Sequence, residues 1–295
     1  MQNASIVIAT LNNKDTLRRV LKQMLNLKFA GKYEIIIVND GSSDGTKEML
    51  AKEFEKNAIV KVINLPRSGV CKARNTGIEA AQYPIVVNMD HDCIPEKDWL
   101  DKMAAGFDSE KVGIVSAYDY YGGTSTAFRK ELLEKVGGYD EDYFYYREDT
   151  DLSFKIMDLG YGFKLIDAKY EHCHEMVKPK GIWELAKHVL QRLKYHQNDV
   201  LLWKKHPTKV CADFLHVKWG FMVDPWADFA AATGLWKTGN RKEGKLELSS
   251  PRGITFLQNK SPLHALVIVG IGIGYVIAVK SSRLIGSIRF RKLLI

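Results

Sequence analysis

Residues 33–46 read YEIIIVNDGSSDGT, four consecutive β-branched residues followed by a turn of Asn, Asp, Gly and Ser. An unbroken apolar run of this length is the pattern of a strand buried on both faces, and the small polar residues after it mark where the chain leaves the sheet. The pattern recurs at residues 5–10 (SIVIAT), 60–65 (VKVINL) and 85–89 (IVVNM). Helical spacing fills the gaps. Leu17, Val20, Leu21, Met24 and Leu25 make one apolar stripe, residues 46–54 follow Asp44 as an N-cap, and residues 70–81 form a third helix. Strand then helix, repeated, means an α/β fold with a mostly parallel sheet and crossover helices.

Ligands of such sheets sit outside the carboxyl ends of the strands. The residues there are Thr10, Asn12 and Asn13 after the first run, Asp40 to Thr46 after the second, and Asp90, His91 and Asp92 after the fourth. Carboxylates converging on one edge call for a cation, sugar hydroxyls or the N–H groups of a base ring. Asp90 and Asp92 at a strand end could hold Mg²⁺ or Mn²⁺ together with a diphosphate. A second acidic cluster, Glu148, Asp149 and Asp151, lies in FYYREDTDL beside aromatic residues, at the start of an apolar helical stretch. Like charges at close range raise carboxylate pKa values towards those of a general base. His172 and His174 follow a further apolar run and could join Asp92 on a metal.

Up to Glu175 the chain holds 23 basic and 28 acidic residues, and after it 20 and 7, a charge of −5 followed by +13. Such asymmetry suggests an acidic site in front and a negatively charged surface as partner of the back. The four cysteines are scattered without a CxxC pair, so neither a zinc ribbon nor a disulfide framework is indicated. That usage implies a reducing compartment, and residues 1–9 lack the basic and apolar regions of a signal peptide, which leaves the front half in the cytosol.

These residues together resemble the family 2 glycosyltransferases of GT-A fold, over roughly residues 5–174. SIVIATLN (5–12) looks like the family's opening strand and nucleotide loop, with Ala9 and Leu11 where Pro and Tyr are usual; VNDGSSDGT (38–46) is similar to its uracil-side motif. GVCKARNTG (69–77) resembles the helix bearing Ala-Arg-Asn, and Asp90-His91-Asp92 stands in the DxD place. TAFR, VGGYDE and FYYREDTDL follow in the family's order, most like its rhamnosyltransferase branch. The resemblance implies an inverting, metal-dependent transfer from a UDP- or dTDP-sugar to a hydroxyl of a glycan or lipid-linked glycan. It implies Asp149 as the base with Glu148 beside it, and Thr10, Asn12, Asp40, Arg74 and Asp90 as donor-binding residues. The metal ligands it implies are Asp90, Asp92 and His172, the last ranked above His174. A polyprenyl-phosphate acceptor, a sugar nucleotidyltransferase and a non-catalytic membrane scaffold are the alternatives. The first usually has a DADLQ sequence, whereas Cys93 and Ile94 follow the DxD here; the second wants a basic Gly-rich loop, which residues 10–14 lack; the presence of Asp40, Asp90, Asp92 and Asp149 together disfavours the third.

The expected organisation is a catalytic domain over residues 1–180 and a basic, Trp-rich helical region over 181–295. Residues 181–205 read as one amphipathic helix, and five of the six tryptophans lie among Lys and Arg in this part, the composition of a membrane interface. Residues 263–279 are 17 residues without Asp, Glu, Lys or Arg, at the short limit of a span. A basic tail held inside and a cytosolic nucleotide-sugar site do not go together with a single crossing. The expectation is therefore a peripheral enzyme on the cytoplasmic face of the membrane, lying on an anionic surface, with a hairpin through residues 214–236 as second choice. No helix-turn-helix, RRM or zinc signature points to nucleic acid.

Overall fold

Ile6, Val7, Ile8 and the four apolar residues after Glu34 are fully buried, and they form the centre of a seven-stranded sheet. The structure is a computed structural model that describes residues 2–119, 121–143, 145–173, 181–233, 238–242, 245–248 and 262–295. It divides into two compact units, Met1–Val177 and Lys178–Ile295.

In the first unit the strands are β1 (Ala4–Thr10), β2 (Tyr33–Asp40), β3 (Val60–Leu65), β4 (Ile85–Asn88), β5 (Cys93–Pro95), β6 (Val112–Ser116), β7 (Thr126–Arg129), β8 (Gly162–Leu165) and β9 (Tyr170–His172). The helices are α1 (Lys14–Met24), α2 (Thr46–Glu53), α3 (Val70–Ala80), α4 (Trp99–Ala105), α5 (Lys130–Val136) and α6 (Glu148–Asp158). The large sheet has the order β3-β2-β1-β4-β7-β6-β8, and only β7 runs against its neighbours. This is the mostly parallel GT-A arrangement that the motifs implied. β5 and β9 pair antiparallel as a separate ribbon.

Alternation along the strands assigns the two faces. Ile6, Ile8, Ile35 and Ile37 pack with Leu17, Val20, Leu21 and Met24 of α1, and each such buried side chain contributes about 1.5–3 kcal/mol. Val7 and Val38 face α3. A Cβ on Gly77 would lie 2.3 Å from Val7 Cγ1, so α3 approaches the sheet this closely only because glycine stands there. One expectation is corrected: the N-cap of α2 is Gly45, at φ +85°, and not Asp44. The Asp44 carboxylate instead accepts from Thr46 N at 3.1 Å and Lys14 N at 3.0 Å, tying the starts of α1 and α2 together.

The second unit holds α7 (Ile182–Tyr195), α8 (Gln197–Lys205), α9 (Lys209–Leu215), β10 (Val217–Lys218), β11 (Met222–Val223), α10 (Pro225–Thr233), β12 (Thr238–Lys242), β13 (Lys245–Leu248) and α11 (Pro262–Phe290). The expected single helix over 181–205 is two. The chain tightens at His196, whose N–H bonds Leu193 O three residues back and whose ring bonds Asp199 and Tyr275. The hairpin through 214–236 is also corrected over its described residues 214–233, which are broken into the end of α9, β10, β11 and the nine residues of α10. α11 does not stop at Val279 but runs for 29 residues, about 44 Å at 1.5 Å per residue. The charge of Arg283 is neutralised internally: it donates to both carboxylate oxygens of Asp228, at 2.6 and 3.0 Å, and to Asp199 at 3.1 Å. Among the described residues one helix, over Leu266–Phe290, is long and apolar enough to cross a membrane.

Candidate active site

β1, β2 and β4 run parallel, so the segments that leave their carboxyl ends gather on one edge of the sheet. After β1, Asn12 takes a left-handed conformation at φ +53°, its N–H donates to Ser42 Oγ at 3.0 Å, and its Oδ1 accepts from Ser43 N at 2.8 Å. The turns after β1 and β2 are thereby one structure. Thr10 is buried, and its Oγ1 has no hydrogen-bond partner. Asp40 closes β2 and holds the entry to α3: Oδ1 accepts from Ser68 N and Ser68 Oγ, both at 2.7 Å, and Oδ2 accepts from Gly69 N at 3.0 Å. Three of the roughly four lone-pair positions of that carboxylate are used inside the protein.

α3 carries Arg74 into the acidic residues, where the guanidinium joins three carboxylates from two further elements. Its Nη1 donates to Asp149 Oδ1 at 3.1 Å and Glu148 Oε1 at 3.5 Å, and its Nη2 to Asp90 Oδ1 at 3.2 Å. Three negative charges against one positive leave the cluster acidic. Asp90, expected on both the donor and the metal, has its Oδ1 bonded to Arg74 Nη2 at 3.2 Å. Tyr139 lies beneath, 5.2 Å from ring centroid to guanidinium, and its hydroxyl donates to Asp149 Oδ1 at 3.1 Å while accepting from Asn88 Nδ2 at 2.6 Å.

Glu148 and Asp149 open α6, and the two residues before them, Tyr146 and Arg147, sit at φ +76° and +79°. Left-handed backbone in residues other than glycine costs about 1–3 kcal/mol each, and is the means by which the chain turns abruptly into the helix that presents the carboxylates. The Glu148 side chain is 6% exposed with Oε2 unpartnered, and burial first, then the Asp149 charge, push its pKa up to about 7. Burial also raises the Asp149 pKa, against the opposing pull of Arg74. The Asp149 side chain remains 23% exposed, and among the described residues nothing bonds its Oδ2.

The β5–β9 ribbon brings Asp92 to His172 across 80 residues of sequence, with Asp92 Oδ2 3.3 Å from His172 Nε2. Asp92, Cys93 and His172 have ligand atoms within 4.8 Å of one another. His174 lies outside the described residues. Tyr139, Asn88, Cys93 and Thr124, whose Oγ1 accepts from Asp90 N, were missed as site residues in the sequence. Tyr139 and Cys93 stood inside or directly beside quoted motifs, and that adjacency was the available signal. Asn88 stood in the quoted run 85–89, two residues before Asp90, whereas Thr124 had no such signal.

The model of the family described as glycosyl transferase family 2 matches residues 5–174. The chain is similar to poly-beta-1,6-N-acetyl-D-glucosamine synthase of Staphylococcus aureus strain MSSA476, 29% identical over 200 residues, covering 56% of this chain and 48% of the relative. The synthase of the same name from Staphylococcus epidermidis is 27% identical over 287 residues, covering 79% of this chain and 66% of the relative. The chain thus spans about half to two thirds of the length of these curated relatives. Among solved structures, a mannosyltransferase from Pyrobaculum calidifontis in complex with GDP-Man and Mn²⁺ superposes with a TM-score of 0.65 at 20% identity, covering 95% of this chain and 86% of that one. With a match that runs through every strand of the first unit and over more than half of the 295 residues, the chain belongs to glycosyl transferase family 2.

Proposed function

We propose that the chain is an inverting, metal-dependent glycosyltransferase that moves a sugar from a nucleotide donor, UDP- or dTDP-linked, to a hydroxyl of a glycan or lipid-linked glycan. The observation that carries this reading is the asymmetry of Asp149. One oxygen is clamped by Arg74 and Tyr139, and the other is open on a partly exposed side chain. A carboxylate oriented in this way can take the proton of an acceptor hydroxyl, which is poorly nucleophilic at its own pKa. Glu148, buried beside it with its pKa pushed up to about 7, sets less negative charge against Asp149 than an ordinary carboxylate would.

On the donor side, the unpartnered Thr10 Oγ1 and the one remaining lone-pair position of Asp40 can accept from the donor, the latter from an N–H of the base. Asn12 shapes the loop between them. Arg74 and Asp90 form the floor on which a diphosphate would lie. The donor atoms at Asp92 and His172 fit a divalent ion, carboxylate oxygen and imidazole nitrogen 3.3 Å apart. Asp92 and His172 would hold Mg²⁺ or Mn²⁺ there, and the ion would supply counter-charge to a departing diphosphate. The names of the staphylococcal relatives, synthases of an N-acetylglucosamine polymer, support a glycan product. The exposed Ile182, Trp183, Leu185 and Leu190 of α7, with Lys187, Arg192 and Lys194 on the same helix, support an anionic membrane surface as partner, on the cytoplasmic face.

Asp149→Asn tests the base directly, because Asn keeps the size but cannot take a proton. Single-turnover transfer to a hydroxyl acceptor is expected to fall by about 10²-fold or more while donor affinity stays within a few-fold. A rate within tenfold of the wild type would remove Asp149 from this role.

A further inference from the structure

Cys93 directly follows Asp92 and takes no part in the base or donor contacts. In the β5–β9 ribbon it stands directly opposite His172, and opposed residues of an antiparallel pair place their side chains on one face. Thiol and imidazole are therefore neighbours, and Asp92 reaches both. Its Oδ2 is 3.3 Å from His172 Nε2 and its Oδ1 3.8 Å from Cys93 Sγ. Metal–nitrogen and metal–oxygen bonds of about 2.0 Å and a metal–sulfur bond of about 2.3 Å, at tetrahedral angles, put O and N about 3.3 Å apart and O and S about 3.5 Å apart. The Oδ2–Nε2 separation meets this, while the oxygen 3.8 Å from the sulfur is Oδ1, so one oxygen serving both neighbours requires a turn of the Asp92 carboxylate. The remaining separation, sulfur to imidazole, is at most 4.8 Å, and rotation of the His172 ring, whose side chain is 41% exposed, can close it. The sulfur is seated by the Thr124 hydroxyl at 3.4 Å and enclosed in the core, as a fixed ligand would be.

We propose that the divalent-cation site at Asp92 is a mixed oxygen, nitrogen and sulfur site in which Cys93 supplies a thiolate, so that Co²⁺ and Zn²⁺ occupy it in preference to Mg²⁺ and Mn²⁺. The inference rests on the reading of Asp92 as a metal ligand. On binding, the S–H bond breaks, its proton passes to solvent and a metal–sulfur bond forms. A hard ion gains little from sulfur, whereas affinity along the divalent series rises from Mn²⁺ through Co²⁺, and thiolate selects zinc-like ions further. Zn²⁺ would then displace the ion that supports transfer.

The test is titration of the full-length, reduced protein with Co²⁺, read by absorption. The wild type and Cys173→Ser are expected to show a sulfur-to-cobalt charge-transfer band at one ion per chain, and Cys93→Ser to lack it. Cys173 is the control because it is the partly exposed thiol next to His172. One equivalent of Zn²⁺ should abolish the band, and about a 100-fold excess of Mg²⁺ should not. If Cys93→Ser fails to fold, His172→Gln, altered at a half-exposed position, should lower Co²⁺ affinity at least about tenfold. Co²⁺ bound with d–d bands alone, or a band that persists in Cys93→Ser, overturns the role of Cys93 and leaves Asp92 as a metal ligand. No Co²⁺ uptake at all overturns both.

Discussion

Glu148 and Asp149 are neighbours in the chain with opposite surroundings, one carboxyl enclosed and the other reaching solvent. An acid whose pKa is raised on folding holds its proton in the folded chain where the unfolded chain has lost it. Stability therefore falls as pH rises through the window from the usual value of 4.5 to about 7. Glu148→Gln mimics the protonated form and is expected to flatten that decline, read as Tm between pH 5 and 8; an unchanged slope would mean that Glu148 stays ionised. Tyr139→Phe removes the hydroxyl that donates to Asp149. That bond favours the charged carboxylate, so its loss raises the Asp149 pKa, and the acid limb of the kcat profile should move to higher pH. A rate that falls equally at every pH would mark Tyr139 as structural only. The motif around Asp149 was legible in the sequence, but its partners were not: Tyr139 and Arg74 meet it only because α3 and the turn before α6 pack together. Asn75 enforces that packing by accepting from Tyr139 N and donating to Tyr139 O, both at 2.8 Å.

At the scale of elements, α6 is placed by the loop over residues 121–125, which lies against its first turn. Gly122 is at φ +115°, and a Cβ there would lie 2.7 Å from Asp149 Cβ and 2.8 Å from Asp149 O. Gly122→Ala therefore meets both backbone strain and a clash with the backbone that carries Asp149. Its expected outcome is a loss of kcat of about 10²-fold, the cost of a misplacement of about 1 Å, with donor affinity preserved. Equal loss of donor affinity would show the damage spreading to the strand ends. The strands and helices of the first unit were legible because buried β-branched runs and apolar stripes have distinct periods. The bend at His196 was not, since its cause is the pair of contacts to Asp199 and Tyr275.

For the whole molecule, most of the exposed large apolar residues among the described ones lie in the second unit, on α7 and along α11. Trp183 is 81% exposed, so Trp183→Asp should leave thermal unfolding of the protein unchanged. Flotation of the full chain with vesicles rich in anionic lipid is expected to drop several-fold in this variant. Undiminished flotation would take α7 out of the membrane contact and leave α11 to carry it. The +13 charge of the chain after Glu175 adds a salt-sensitive component to the same binding.

By itself the sequence determined the parallel sheet, the polar edge at its strand ends and the family to which the motifs belong, because all three are written in local patterns of residue type. Only the tertiary structure decided which carboxylate meets which partner. Asp90 goes to Arg74, Asp92 goes to His172 through the pairing of β5 with β9, and Asp40 is largely occupied by residues 68–69. The length of α11 belongs to the same class. A count of apolar residues ends at Val279, yet the helix continues because Asp228 and Asp199, distant in sequence, neutralise Arg283. Patterns along a chain report which face of an element is buried. The cost of burying a charge depends on a partner brought from elsewhere, and that partner exists only once the chain has folded.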